Sequence, residues 1–191
     1  MKVVACNGSP RKQGNTRILI DTVLAELEKQ GIETEVVQLG GKEIRGCLAC
    51  MKCVKSKDGK CINDKDIINE CIAKIVEADR VLLGTPTYFA DVSTEIKALI
   101  DRAGFVARVN DSMFKRKVGA GVVAQRRGGS IHAFDTMNHL FTISEMIIPG
   151  SSYWNFAVGL KEGDVKDDKE GMDTMRTLGE NMGWLLKKIN A

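Results

Sequence analysis

Long apolar runs are missing from this sequence. No stretch approaches eighteen consecutive uncharged apolar residues, which excludes a membrane-spanning helix. The opening Met1-Lys2-Val3-Val4-Ala5-Cys6-Asn7-Gly8 holds too short an apolar run for a secretory signal, so a soluble, cytoplasmic protein is expected. Blocks of like charge are missing too. Lys plus Arg number 28 against 25 Asp plus Glu, a net charge of +3 spread along the chain, which implies neither nucleic acid nor a membrane surface as partner. No residue type dominates, no internal repeat shows and no linker divides the chain; a fibre, a disordered tail and a disulfide miniprotein are excluded. What is there is an ordinary globular composition in one expected domain, 1–191, long enough to bury roughly 70% of its unfolded surface. A core of that size needs no metal to hold it together, so any metal site serves function. The six cysteines stay reduced in such a compartment, and a close-set group of them reads as metal-binding or catalytic.

Hydrophobic periodicity alternates between strand and helix along the whole chain. Val3 to Ala5 form a strand ending at Asn7-Gly8-Ser9-Pro10, and residues 16–30 form a helix on Ile20, Val23, Leu24 and Leu27, closed by Gly31. Thr34 to Leu39 is a β-branched strand, and Ile68, Cys71, Ile72, Ile75 and Val76 line one face of a second helix. Strands are expected over Arg80–Gly84 and Val118–Ala124, each followed by a helix, over Thr94–Arg102 and from Ile131 to about Met146. A last strand falls between Ile147 and Val158, and Met172, Met175, Leu178, Met182, Leu185 and Ile189 make the stripe of a closing helix over 169–189. Five strands alternating with helices predict a doubly wound parallel sheet with right-handed crossovers. Ligands of such sheets sit beyond the carboxyl ends of the strands, where strand order reverses. Residues 40–66 break the short-loop pattern; a stretch of about 27 residues without structure of its own is expected to be functional.

Ser9-Pro10-Arg11-Lys12-Gln13-Gly14-Asn15-Thr16 runs from the first strand straight into the first helix. The unpaired first amides and the positive end of the helix dipole favour an anion there; Ser9, Asn15 and Thr16 add donors and Arg11 adds charge. A phosphate fits, although an Asn or Thr cap on an ordinary helix would leave part of the same pattern. The Walker pattern and the G-x-G-x-x-G pattern are both absent. Cys6 and Arg11 are one residue too close for the loop of a low-molecular-weight phosphatase, and Cys6 reads as a small apolar strand residue.

These residues resemble the FMN-phosphate loop of the flavodoxin-like NADPH-dependent FMN reductases: Ser9-Pro10-Arg11, then Gly14-Asn15-Thr16, after a first strand. A second motif, Thr85-Pro86-Thr87-Tyr88-Phe89, is similar to the segment that lies along the flavin ring in that family. The resemblance covers nearly the whole chain. It implies a flavodoxin-like fold with FMN held by Ser9, Arg11, Asn15 and Thr16 and by Pro86, Thr87, Tyr88 and Phe89. The chemistry agrees: Pro86 sets a turn after a buried strand, Thr87 to Phe89 can offer amides to the flavin's carbonyl edge, and an aromatic can pack near its ring. Tyr88 and Phe89 as plain packing residues is the competing reading. Gln125-Arg126-Arg127-Gly128-Gly129 stands where the family also contacts flavin; its arginines suit a solvated surface or an NADPH phosphate equally well.

Cys47-Leu48-Ala49-Cys50-Met51-Lys52-Cys53 has two successive two-residue spacers, and Cys61 follows seven residues later. Three thiolates at this spacing can converge on one side of a tight loop, and the Lys57-Asp58-Gly59-Lys60 segment can bring back the fourth, a cage that suits a 4Fe-4S cluster. Zinc, which favours separated Cys-x-x-Cys knuckles or histidine, and free thiols or a reversible disulfide remain alternatives. His132 and His139 lie far away on a helix, and Cys71 belongs to the apolar stripe of its own helix. The cysteine pattern resembles the compact motif of the iron-sulfur flavoproteins, a branch of the same reductase family. That resemblance implies FMN together with a 4Fe-4S cluster on Cys47, Cys50, Cys53 and Cys61. It also implies homodimers or homotetramers in which one subunit's cluster lies near another's flavin.

The expected function is electron transfer between a two-electron and a one-electron carrier, with NAD(P)H or a ferredoxin as electron partner. No Ser-His-Asp arrangement or carboxylate pair is present to act as catalyst, and no catalytic side chain is assigned. The alternative is an NAD(P)H-dependent FMN or quinone reductase without a cluster. A phosphate-sensing response-regulator module would need acids at the strand ends, where this chain has Cys6-Asn7 and Gly84-Thr85.

Overall fold

A computed structural model describes residues 1–189, so the last two positions of the expected 1–191 unit lie outside the described residues. The strands β1 (Lys2–Asn7), β2 (Glu33–Gln38), β3 (Arg80–Pro86), β4 (Val118–Gln125) and β5 (Phe156–Val158) form one parallel sheet in the order 2-1-3-4-5. This is the flavodoxin-like order that the resemblance implied, and it puts the reversal of winding between β1 and β3. The helices are α1 (Asn15–Glu28), α2 (Lys52–Ser56), α3 (Ile68–Glu77), α4 (Thr94–Val109), α5 (Ser130–Ile143) and α6 (Lys169–Ile189).

Alternation along the inner strands sends side chains to both faces. Val4, Cys6, Val81, Leu83 and Val123 join the core under α3, α4 and α5. Val3, Ala5, Leu82, Ala120 and Val122 join the core under α1 and α6. Both faces are therefore buried, as a parallel sheet requires. α1 contributes Leu19, Ile20, Val23, Leu24 and Leu27 to that second core, where cutting one Leu to Ala costs about 2–5 kcal/mol. β2 is an edge strand and carries charge: Glu35 pairs with Lys2 at 2.8 Å and with Lys74 of α3. Hydrogen bonds from Lys2 and then Lys74 hold the Glu35 carboxyl below its ordinary value.

Several expected boundaries move. α4 runs on past Arg102 to Val109, because Ala103, Val106 and Ala107 continue its buried stripe; Asn110 then closes it, its Nδ2 donating to the Val106 carbonyl at 2.8 Å. α5 stops at Ile143 rather than near Met146, since Glu145 takes a left-handed φ of 55°. The last strand is only three residues long, and the stretch before it adds a single bridge between Ile147 and Val118. In α6 the buried register falls on Met175, Leu178, Met182 and Leu186; Ile189 is exposed, as is Val76 of α3. No helix among the described residues is long and apolar enough to cross a membrane.

Candidate functional site

The carboxyl ends of β1, β3 and β4 are laced together by their loops. Gly8 N donates to the Gly84 carbonyl at 2.8 Å, Thr87 N to Ala124 at 2.9 Å, and Gly159 N to Gln125 at 2.8 Å. The first loop is shaped by two buried or half-buried amides that the sequence reading did not single out. Asn7 accepts from Ser9 N through Oδ1 at 3.0 Å and donates through Nδ2 to Gln38 Oε1 at 2.8 Å. Gln38 then donates from Nε2 to the carbonyls of Ser9, at 2.7 Å, and Gly40, at 2.8 Å. Gly40 lies flat beneath the loop: a Cβ there would stand 2.1 Å from the Ser9 carbonyl carbon, so only glycine fits.

The loop ends at Gly14, which fills the N-cap position of α1 without a capping side chain, and no acid stands in the helix's first turn. The amides of Asn15, Thr16 and Arg17 keep no partner among the described residues, which leaves the positive end of a 14-residue helix open to an anion. Ser9 and Thr16 are buried here, Ser9 Oγ accepts from Arg11 N at 3.3 Å, and Arg11 is exposed at the rim. Asn15 does something else with its side chain. Its Nδ2 donates to the Lys161 carbonyl at 2.8 Å and its Oδ1 accepts from Gly163 N at 2.8 Å, which straps the segment after β5 onto the loop. From Asn15 an anion would therefore receive the backbone amide, not the side chain.

Thr85 and Pro86 end β3, and residues 88–91 make a tight hairpin in which Tyr88 N and Asp91 N each donate to the other's carbonyl, at 2.9 and 3.0 Å. Phe89 and Ala90 form its tip at φ 47° and 65°, a conformation costing non-glycine residues of the order of 1 kcal/mol each. Phe89 is fully exposed and Tyr88 half-exposed, so neither serves as core packing. Of the three amides expected to face a ligand, those of Thr87 and Tyr88 are committed within the protein, and Phe89 N has no partner among the described residues. Gly129, at φ 91°, brings the loop after β4 against this hairpin; a Cβ there would come within 2.8 Å of Ala90 Cα. The carboxyl of Asp91 accepts from Thr136 Oγ1 at 2.7 Å and from Val92 N at 2.7 Å; against the opposing effect of burial, these bonds hold it below its ordinary value. Cys6 is fully buried, and its bond with Cys71, then desolvation, push its thiol well above the usual range, so it is no phosphatase nucleophile.

A second feature lies in residues 39–67, whose one helix is the five-residue α2. Cys47, Cys50, Cys53 and Cys61 all line one small cavity, about 30 Å³ in volume, against Phe105 and Val106 of α4. Cys47 and Cys50 are exposed, Cys61 is half-buried, and Cys53 is buried, which pushes its thiol up. Ala49, Met51 and Lys57 take left-handed φ values around α2, which bends the chain sharply on both sides of it. Among the described residues no group of three or more His, Cys, Asp or Glu side chains is gathered closely enough to hold a metal ion. A cubane takes its four thiolates on four separate irons, and sulfur donors spread around a cavity suit it better than they suit tetrahedral zinc.

The loop is anchored by a residue that the sequence reading passed over. Arg102 of α4 is 1% exposed and reaches both of the loop's ends. Its Nη1 donates to the Arg45 carbonyl at 2.9 Å and to Asp66 Oδ2 at 2.5 Å, its Nη2 to the Asn63 carbonyl at 2.7 Å, and its Nε to Cys61 Sγ at 3.3 Å. Burial works against the charge on both partners. The bonds to Asp66 and Cys61 nevertheless raise Arg102, while those from Arg102, Ile68 N and Arg45 N lower Asp66. A charge at Arg102 was detectable from its register, since it falls on the same stripe as Leu99, Ala103 and Val106.

Comparison with known proteins agrees with this architecture. The family model of NADPH-dependent FMN reductase matches residues 1–161. An iron-sulfur flavoprotein of Methanocaldococcus jannaschii is 37% identical over 203 residues, covering 99% of each chain. An iron-sulfur flavoprotein of Archaeoglobus fulgidus is 34% identical, over 95% of this chain and 94% of the relative. The crystal structure of a flavodoxin, WrbA-like protein from Agrobacterium tumefaciens superposes with a TM-score of 0.68 at 15% identity, covering 98% of each chain. With its sheet order, its uncapped helix beyond β1 and its matched length all in agreement, the chain belongs to the NADPH-dependent FMN reductase family, in the iron-sulfur flavoprotein branch, and is an FMN-dependent oxidoreductase.

Proposed function

We propose that this protein is an electron-transfer oxidoreductase that pairs FMN with a 4Fe-4S cluster. FMN, when bound, takes up a hydride's two electrons and the cluster carries electrons one at a time, so the pair interconverts the two currencies. The observation that carries the reading is that all four cysteines of the compact motif line a single cavity beside a buried cation. The names of the two archaeal relatives point the same way.

The chain's own residues have separate tasks. The amides at the start of α1, with Ser9 and Thr16 beside them and Arg11 at the rim, hold the phosphate. The hairpin Pro86-Thr87-Tyr88-Phe89 flanks the ring, with Phe89 N free to donate to a carbonyl edge and Phe89 itself exposed for contact with ring, substrate or a second subunit. Cys47, Cys50, Cys53 and Cys61 ligate the cluster, and α4 excludes water from its inner side. Residues 1–191 act as one flavin-binding unit with 40–66 as the cluster loop, in a reducing cytoplasm, and assemble as homodimers or homotetramers. NAD(P)H or a ferredoxin exchanges electrons with it.

Anaerobic purification tests this directly. A brown protein with about four irons per chain and flavin bands is expected. A yellow, iron-free protein from a strictly anoxic preparation would reject the cluster and return the chain to an NAD(P)H-dependent FMN or quinone reductase. Cys50→Ser is expected to abolish the broad iron-sulfur absorbance and leave the flavin bands in place; unchanged cluster absorbance rejects Cys50 as a ligand.

A further inference from the structure

The contacts of Arg102 do more than brace a loop. Cys61 is already placed by another residue: Cys61 N donates to Asn69 Oδ1 at 2.8 Å, and Asn69 Nδ2 donates back to the Cys61 carbonyl at 2.8 Å. The loop's ends are gathered by Nη1 and Nη2 of Arg102, through Arg45, Asp66 and Asn63. The remaining contact is Nε to Cys61 Sγ at 3.3 Å, and no structural need explains it. A neutral thiol is a poor acceptor, whereas a thiolate bound to iron is a strong one. The guanidinium is 1% exposed and its carboxylate partner 4% exposed, so solvent and salt screen the pair less than they screen surface charges. The ion pair is also polarised. Its positive end touches the sulfur, and Asp66 stands on the far side of the guanidinium, bonded to Arg45 N at 3.3 Å and Ile68 N at 3.1 Å.

We propose that Arg102 is a positioning and tuning residue that raises the reduction potential of the cluster through its Nε–H bond to Cys61 Sγ. This inference rests on Cys61 being a cluster ligand, as read above. Hydrogen bonds to ligating sulfurs and nearby charge are two of the factors that set such potentials, and both favour the more negative, reduced state here. Asp66 moderates the effect by offsetting part of the cation's field.

The signs of two substitutions therefore oppose each other. Arg102→Gln removes the cation and is expected to lower the cluster's midpoint, disfavouring one-electron reduction by tenfold or more, about 59 mV per factor of ten. Arg102→Lys keeps the charge without the planar fork and is expected to fall between this variant and the parent protein. Asp66→Asn keeps the oxygen that faces Arg102, gives up the one that receives Ile68 N, and is expected to raise the midpoint. The flavin midpoint, read in the same titration, is expected to move far less. The measurement is a spectroelectrochemical titration of anaerobically purified protein, with iron counted first.

An iron-free parent protein sinks the cluster reading itself. With the parent loaded, opposite shifts support the tuning role. Equal midpoints, or shifts of the same sign in the two variants, overturn it. If Arg102→Gln does not retain iron, Asp66→Asn decides alone: an upward shift supports the proposal and an unchanged midpoint rejects it.

Discussion

The cleft proposed for flavin and the cysteine loop are built by opposite means. In the cleft the working parts are backbone: amides at the start of α1, carbonyl-to-amide ties between β1, β3 and β4, and a hairpin tip. Its geometry follows from where a 2-1-3-4-5 sheet reverses its winding, and side chains such as Asn7 and Gln38 only trim it. In the cysteine loop regular structure supplies almost nothing. One buried ion pair, Arg102 with Asp66, and two amides, Asn69 at Cys61 and Asn110 at Gly59, stand in for strands and helices. A site made of backbone tolerates side-chain change and fails when two segments are forced apart. A site gathered by one buried cation tolerates backbone change and fails when the cation loses its partner.

Breaking the pair is the sharpest way to separate the two regions. Asp66→Ala leaves the buried Arg102 charge uncompensated, a loss of about 3–5 kcal/mol. The expected outcome is loss of iron and a lower denaturation midpoint, with FMN still retained; FMN lost in proportion to iron would show that the regions are one cooperative unit. Acid should act on the same spot. The folded Asp66 value is depressed, so its stabilisation is complete above the unfolded value of about 3.9 and is lost as pH falls through the folded one. Iron release on acidification to about pH 4 is therefore expected to begin earlier in Asp66→Asn than in the parent protein. Identical acid limbs would remove Asp66 as the titrating group.

The contrast also explains what could be read in advance. Sheet and helix alternation were legible because periodicity and backbone chemistry write themselves into local sequence. Asn7 and Gln38 were not, since each pairs with a residue some thirty positions away, at a strand register that one sequence does not display. Arg102 was hidden differently. A helix ended at Arg102 makes it a solvated terminus, whereas the stripe through Leu99, Ala103 and Val106 puts it inside, and a buried arginine demands a partner. Asn15 lies in the loop after β1, where local sequence does not reveal that its side chain holds the segment after β5.

In the cleft the corresponding break is Gly40→Ala. The added methyl meets the Ser9 carbonyl carbon at 2.1 Å, so the phosphate loop must shift, at about 1–3 kcal/mol. FMN affinity is expected to fall by roughly tenfold or more while iron retention stays, the mirror image of Asp66→Ala. Intact flavin binding by this variant would mean that the Ser9 turn takes no part in holding the phosphate.

The smallest effect falls at the hairpin tip, where strain and function pull against each other. Phe89 occupies φ 47° with its ring wholly exposed, a combination that stability alone would not choose. Phe89→Gly removes the left-handed penalty and is expected to stabilise the apo-protein by up to about 1 kcal/mol, a rise of roughly 2–4 °C in Tm. If the ring contacts flavin, substrate or a second subunit, the same variant loses that contact. The gain in the apo-protein would then be accompanied by weaker flavin binding or by dissociation in sedimentation. Stabilisation with flavin affinity and subunit state unchanged would leave the exposed ring without a role in either region.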